Sequence, residues 1–325
     1  MLHRRSFCFA LGLIAALCVA CGTRSDAAEF PSRPITLIVA FAPGGVADTA
    51  ARLLAGGLQG RLGQPVVVEN RPGAGGDVAA GVVARSAADG YTLLVTTTAF
   101  AINLTLNDSK QYSAEDFAAI AFPATSAEVL VTNSESGSRN LSDLLESGKK
   151  KPLTFGTAGV GTSPHIMAEF FFREVAKVPA VHVPFQGGAP AISALLGNQI
   201  DVISAILGGG VAAQINGGKV RGLAVTADKR APIVPNVPTF AELGYKDMNF
   251  IDWVGVFAPR NTDQAVVRRL NEEIGKVMSD PEVISKLTDM GFTASSAGLS
   301  EARQEFASDV TRWATFIQTI GLKTR

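Results

Sequence analysis

Cysteine is almost missing from this chain. Cys8, Cys18 and Cys21 are the only three, so everything after residue 21 can form no disulfide, thiol nucleophile or thiolate metal site. Histidine is equally scarce, with His3, His165 and His182. No His/Cys/Asp cluster has metal-ligand spacing, and neither a metal nor a cofactor is expected. An excess of one charge is also lacking: 29 basic residues balance 29 acidic ones, and aromatics make up 7%. Without a basic block, a nucleic-acid partner is disfavoured. No G-x-S-x-G elbow occurs, and the adjacent acids Glu272 and Glu273 read as a solvated helix face. An enzyme is therefore not expected. Beyond residue 20, no segment approaches the roughly eighteen uninterrupted apolar residues of a membrane span.

What is present suits a globular chain of two ordinary domains: 325 residues, 47% hydrophobic and 18% charged. The N-terminus stands apart. A basic head, Met1 to Arg5, precedes a short apolar run, Phe7 to Ala20, and then a small-residue zone. This is the three-part pattern of a secretion signal. Ser25-Asp26-Ala27 places cleavage after Ala27. Two variants stay open: lipid anchoring at Cys21, and twin-arginine routing through Arg4-Arg5.

From residue 33 onward, strand and helix alternate. The run 35–41 reads as a buried strand, 48–62 as a helix with Leu54, Leu58 and Leu62 on one face, and 66–69 as a strand. A helix over 78–87 and a strand over 91–97 follow. The rhythm returns with strands near 153–155, 181–183, 200–206, 223–226 and 253–257, and helices from 164 and over 190–196. Helices over 262–279, 281–290 and 300–320 close the chain. This order predicts parallel strands with helices on both faces. There is no tandem repeat. The two blocks predict two α/β lobes, and polar residues 132–151 and Pro-rich residues 227–250 mark two crossings between them. Two crossings make a hinge, with a ligand cleft between the lobes.

Two glycine loops open helices at strand ends. The first is FAPGGVADTAARLL, residues 41–54. Phe41, Pro43, Gly44 and Gly45 let backbone approach a bound group, and the following helix start favours an anion. Asp48 can accept from free N–H groups or face the ligand. A phosphate loop would carry Lys and Ser or Thr after its last glycine. Val46-Ala47-Asp48 stands there instead, so a carboxylate fits better. A plain tight turn with a capping Asp is the alternative. The second loop runs from Gly156 to His165. Thr157, Thr162 and Ser163 offer hydroxyls, Gly159 and Gly161 offer bare N–H groups, and His165 can donate to a carboxylate or simply close the helix start. Thr97, at a polar strand end, is a further candidate.

At these residues the chain resembles the substrate-binding proteins of tripartite tricarboxylate transporters, the Bug receptors. The landmarks are Pro31-Ser32-Arg33-Pro34-Ile35, Pro43-Gly44-Gly45-x-x-Asp48, the long run Leu62 to Gly76, Asp89 to Leu94, His182-Val183-Pro184-Phe185, Leu223 to Thr226, and Val237-Pro238-Thr239. The resemblance implies an α/β, type II periplasmic-binding-protein-like fold. The lobes would be 28–130 with 250–325, and 131–249, after a signal at 1–27. It implies a periplasmic, monomeric receptor that captures a small organic carboxylate and delivers it to one large and one small membrane subunit. Presentation of the ligand to a signalling partner is the alternative. The chain departs from the family pattern at Ala205, where many relatives carry an acid, and this change bears on the distal pocket.

Overall fold

A computed structural model describes residues 30–106, 111–208 and 210–321. The expected signal, its cleavage after Ala27 and Cys21 lie outside the described residues. The compact body begins at Arg33.

Its elements follow in chain order. The first block is β1 (Ile35–Val39), α1 (Val46–Leu62), β2 (Val66–Asn70), α2 (Asp77–Ala84), β3 (Thr92–Thr97) and α3 (Ala99–Leu106). A long strand, β4 (Phe117–Asn133), leads out of it. The second block is α4 (Leu141–Lys150), β5 (Leu153–Thr157), α5 (Ser163–Glu169), β6 (Ala180–Pro184), α6 (Gly188–Leu196), β7 (Val202–Ile206), α7 (Val211–Asn216) and β8 (Val220–Val225). The chain ends with β9 (Ile251–Pro259), α8 (Gln264–Met278), α9 (Pro281–Asp289), β10 (Thr293–Ala294) and α10 (Leu299–Thr319).

The strand order is β2-β1-β3-β9-β4-β7-β5-β6, with β8 and β10 also pairing β4. β1 is flanked in parallel by β2 and β3, and β5 in parallel by β6 and β7. The same local unit is thus built twice. β4 joins the two units. Its residues up to Ala127 pair β9, and from Glu128 onward they pair β7. Register shifts between Ala119 and Ala124 bend the strand around Pro123, where the ladder loses a donor.

Each unit has its own core. Around β3, β4 and β9, Phe100 stacks on Phe306 at 5.5 Å and meets Phe257 edge-on at 5.0 Å. Trp253 belongs to this core: it meets Phe122 edge-on at 4.6 Å and its Nε1 donates to Asp309. Around β5 and β7, the buried residues include Val129, Val131, Leu195, Ile203 and Val220. α1 buries Leu54, Leu58 and Leu62 together with small alanines, the face expected from its four-residue spacing.

A pair of acids is buried where β4 passes from one unit to the other. Glu128 is wholly buried and accepts from the Ser163 hydroxyl. Asp252 on β9 lies beside it, also buried. Burial first, and then the Asp252 charge, pushes the Glu128 carboxyl well above the ordinary range. Burial also pushes Asp252 up. Both shifts favour a proton held between the two carboxyls above the ordinary carboxyl range.

Candidate functional site

The first glycine loop folds as a turn over Ala42–Gly45, closed by the Gly45 N–H on the Ala42 carbonyl at 3.4 Å. Gly44 takes a φ of +77°, which fits the third position of a type II turn after Pro43. Gly45 is the N-cap of α1 and supplies no side-chain acceptor. The first-turn N–H groups of a long helix are thereby left facing the strand end, with the positive end of its dipole behind them.

Asp48 stands behind this loop. It accepts from the Gly44 N–H at 2.9 Å, from Arg52 Nε at 2.9 Å and from Asn70 Nδ2 at 2.9 Å. Asn70 also donates to the Phe41 carbonyl at 3.0 Å, so one side chain ties both ends of the loop to β2. Burial raises the Asp48 pKa, but the bonds from Arg52, Gly44 and Asn70 together outweigh it and hold the carboxyl below the ordinary range.

The second loop is also pinned from within. Thr157 Oγ1 donates to the Gly159 carbonyl at 3.2 Å, and Thr162 Oγ1 does so at 2.8 Å. The Gly161 N–H donates to His165 Nδ1 at 3.3 Å, which leaves the His165 proton on Nε2. His165 stacks on His182 at 4.1 Å, and His182 stacks on Phe155 at 5.0 Å. Burial lowers His165 to about 4. Burial first, and then His165, lowers His182 to about 3. Both imidazoles are neutral near pH 7.

The two units meet across a cavity of about 50 Å³. From the first unit, Phe41, Gly44, Gly45, Val46, Ala47 and Thr97 line it. From the second come Ala158, Thr162 and Pro164, then Gly188 and Ala189 at the start of α6, then Ser204 and Ala205 on β7. Six sequence-predicted residues thus gather here: Phe41, Gly44, Gly45, Thr97, Thr162 and Ala205. Pro43, Asp48, Thr157, Gly159, Gly161, Ser163 and His165 are not among the lining residues. Most of these seven shape the loops instead, and Ser163 reaches Glu128. Wider surface grooves of about 830 and 940 Å³ lie elsewhere, away from the facing helix starts.

Two lining features escape the sequence reading. One is the start of α6, where Gly187 is an uncapped N-cap with φ +148°. A strand followed by Gly187-Gly188 repeats the syntax of the first loop and was the available signal. The other is Ser204, the lone hydroxyl in the apolar run of β7.

The units touch closely around the cavity. The Ala42 N–H donates to the Gln186 carbonyl at 3.2 Å. A Cβ on Gly44 would lie 3.9 Å from the Ala189 Cβ. A Cβ on Gly161 would lie 1.9 Å from Asn103 Oδ1, and one on Gly75 would lie 2.2 Å from the Val160 carbonyl oxygen. At Gly161 and Gly75 glycine is what permits the approach.

A family model described as a tripartite tricarboxylate transporter family receptor matches residues 50–322. The chain belongs to this receptor family. Protein BugT of Bordetella pertussis is 35% identical over 310 residues, covering 92% of this chain and 93% of BugT. The solved structure of the periplasmic binding protein BugD is similar at TM-score 0.87 and 31% identity, covering 91% of this chain and all of that one. MatC from Rhodopseudomonas palustris, solved with bound malate, is similar at TM-score 0.83 and 31% identity over 89% of this chain and all of MatC. Receptors of this family share the α/β fold built here from two β2-β1-β3-like units, and the expected type II binding-protein architecture holds. Among the described residues no helix is long and apolar enough to cross a membrane.

Proposed function

We propose that this chain is an exported periplasmic receptor that captures a small organic carboxylate and delivers it to a tripartite transporter with one large and one small membrane subunit. The observation that carries this reading is the cavity, at which two uncapped helix starts, those of α1 and α6, converge from opposite units. Converging N–H groups and dipole ends bind negative charge without a basic side chain. The Thr97 hydroxyl accepts from the Ala99 N–H at 3.4 Å and has its proton free for an acceptor in the cavity. The malate bound to MatC supports a carboxylate as the class. In this reading Phe41, Gly44, Gly45, Thr97, Thr162 and Ala205 contact the ligand, while Pro43, Asp48, Thr157, Gly159, Gly161, Ser163 and His165 hold the loops that do so. The lobes are 28–130 with 250–325, and 131–249, and the receptor acts as a monomer. In this reading it binds its ligand without turnover.

Thermal unfolding of ligand-stripped protein against a panel of small carboxylates tests this. A ligand at about 100 times its dissociation constant adds roughly 2.7 kcal/mol, a rise of several degrees in melting temperature. The rise should vanish in Gly45→Trp, which fills the cavity at the helix start. Absence of a rise with every acid would refute the proposal.

A further inference from the structure

We infer that Glu128 and Asp252 form a proton-operated lock at the hinge: the two units close on a ligand as the pair takes up one proton from solvent, and loss of that proton opens them. The inference rests on the proposed reading of the two units as lobes that close. It does not depend on which acid the cavity holds.

Position carries the first half of this. β4 pairs β9 up to Ala127 and takes up β7 from Glu128. The chain returns to the first unit at β9, whose second residue is Asp252. Thr226, just after β8, ties these two crossings together. Its hydroxyl accepts from the Glu128 N–H at 2.8 Å and donates to the Phe250 carbonyl. Its own N–H donates to the Glu128 carbonyl at 3.0 Å. Glu128 and Asp252 thus stand side by side on the segments about which the units would turn. Hydroxyls from both units face them. Ser163, at the start of α5, donates to Glu128. Ser163 and Thr98, the residue before α3, both lie near Asp252.

Hydrogen bonding carries the second half. Glu128 Oε2 and both oxygens of Asp252 are buried and meet no hydrogen-bond partner in the protein. Among the described residues no Lys or Arg is paired to either acid. The charge that α10 brings is Asp309, another acid, which is held by Arg312 at 2.9 Å. β7 brings Ile206 opposite Glu128. Two bare carboxylates in this place would be strongly unfavourable. A proton between them supplies the missing donor. Water that enters when the units part supplies donors too, and both acids then ionise in their ordinary range. Closure at neutral pH therefore takes up a proton, and by linkage a fall in pH favours closure. His165 and His182 are already neutral above pH 6, so they do not titrate in this range.

The test is the distance between spin labels at Val67→Cys and Val181→Cys. These are exposed positions on the outermost strands, β2 and β6. The background is the full chain with Cys8→Ser, Cys18→Ser and Cys21→Ser. Distances are measured at pH 6, 7 and 8, ligand-free and with malate, in this chain and in its Glu128→Gln and Asp252→Asn variants. The expected ratio of closed to open molecules falls as pH rises, by up to about tenfold per pH unit. In both variants it should not change with pH, and either variant suffices should the other not fold. Isothermal titration with malate in phosphate and in Tris should show a proton taken up by the parent and none by Glu128→Gln. A ratio that does not move with pH, or that moves equally in the variants, would overturn the lock. A ligand-free response that persists where malate does not bind would leave the lock standing and count only against malate as the ligand.

Discussion

The substitution Asp48→Asn probes how the first loop is held. The carboxylate uses Oδ2 for the Gly44 N–H and Arg52 Nε, and Oδ1 for Asn70 Nδ2 and Arg52 Nη2, each at 2.9 Å. An amide has one acceptor oxygen. Turned to keep Gly44, it sets its own NH2 against the amide of Asn70 and the guanidinium of Arg52. The Asn70 bond to a charged acceptor contributes about 1.5–3 kcal/mol. The Arg52 pair adds at most about 1 kcal/mol, because its guanidinium is largely exposed. Asn70 keeps the Phe41 carbonyl, which limits the damage. The expected loss is about 2 kcal/mol at pH 7, or a fall of roughly 3 °C in melting temperature. The Asp48 pKa is depressed in the folded state from 3.8. Its contribution is therefore complete above that value and is lost as pH falls through the lower folded one. Urea unfolding of both proteins at pH 7 and pH 3 measures this directly. Equal stability at pH 7, or a deficit that is undiminished at pH 3, would refute the reasoning.

Gly161→Ala should cost about 1–2 kcal/mol from its left-handed backbone plus a clash with Asn103. Adding Asn103→Ala should recover the clash part in urea unfolding, and no recovery would contradict the contact. The folded-state pKa values of His165 and His182 lie near 4 and 3, below their ordinary 6.5. Their contribution is complete above pH 6.5 and declines as pH falls toward those values, so a His182→Gln variant should show a flatter acid limb in a melting-temperature profile. Glu128 and Asp252 act in the opposite direction. Their raised folded pKa values mean stability that is complete at low pH and lost as pH rises above the ordinary carboxyl range. Glu128→Gln, which can still accept from Ser163, should be more stable than the parent at pH 7 and no more stable near pH 4. A loss at pH 7 would show that the pair does not share a proton.

The strand-turn-helix units were legible because each carries a local signature: a short apolar run, a glycine turn and a four-residue apolar spacing. β4 was not. Its sequence, FAAIAFPATSAEVLVTN, is rich in alanine and interrupted by Pro123, a composition that argues against a strand. Pairing on both edges, in two units, overrides that propensity. α4 hid in a polar stretch because its buried face is only Leu141, Leu144, Leu145 and Gly148. Asn140, which accepts from the Asp143 N–H at 2.9 Å, was its visible cap. At the site, the first loop was legible because glycine and proline dictate backbone. The engagement of Asp48 and His165 with their own loops was legible as one of two alternatives, because Gly44 and Gly161 lie four residues before them; the third tie of Asp48, to Asn70, was not, since tertiary packing brings Asn70 there. Ser204 could not be singled out, because a hydroxyl without a partner is a property of its surroundings and not of its spacing.

The central claim is that backbone donors at the start of α1 hold a carboxylate inside the cavity. A crystal structure of the chain with its tightest-binding acid tests this most directly. Carboxylate oxygens are expected within about 3.2 Å of N–H groups in the Gly45–Ala47 turn, with the ligand body against Ala189 and Ala205. An acid seated away from this turn, or held by an Arg or Lys side chain, would contradict it.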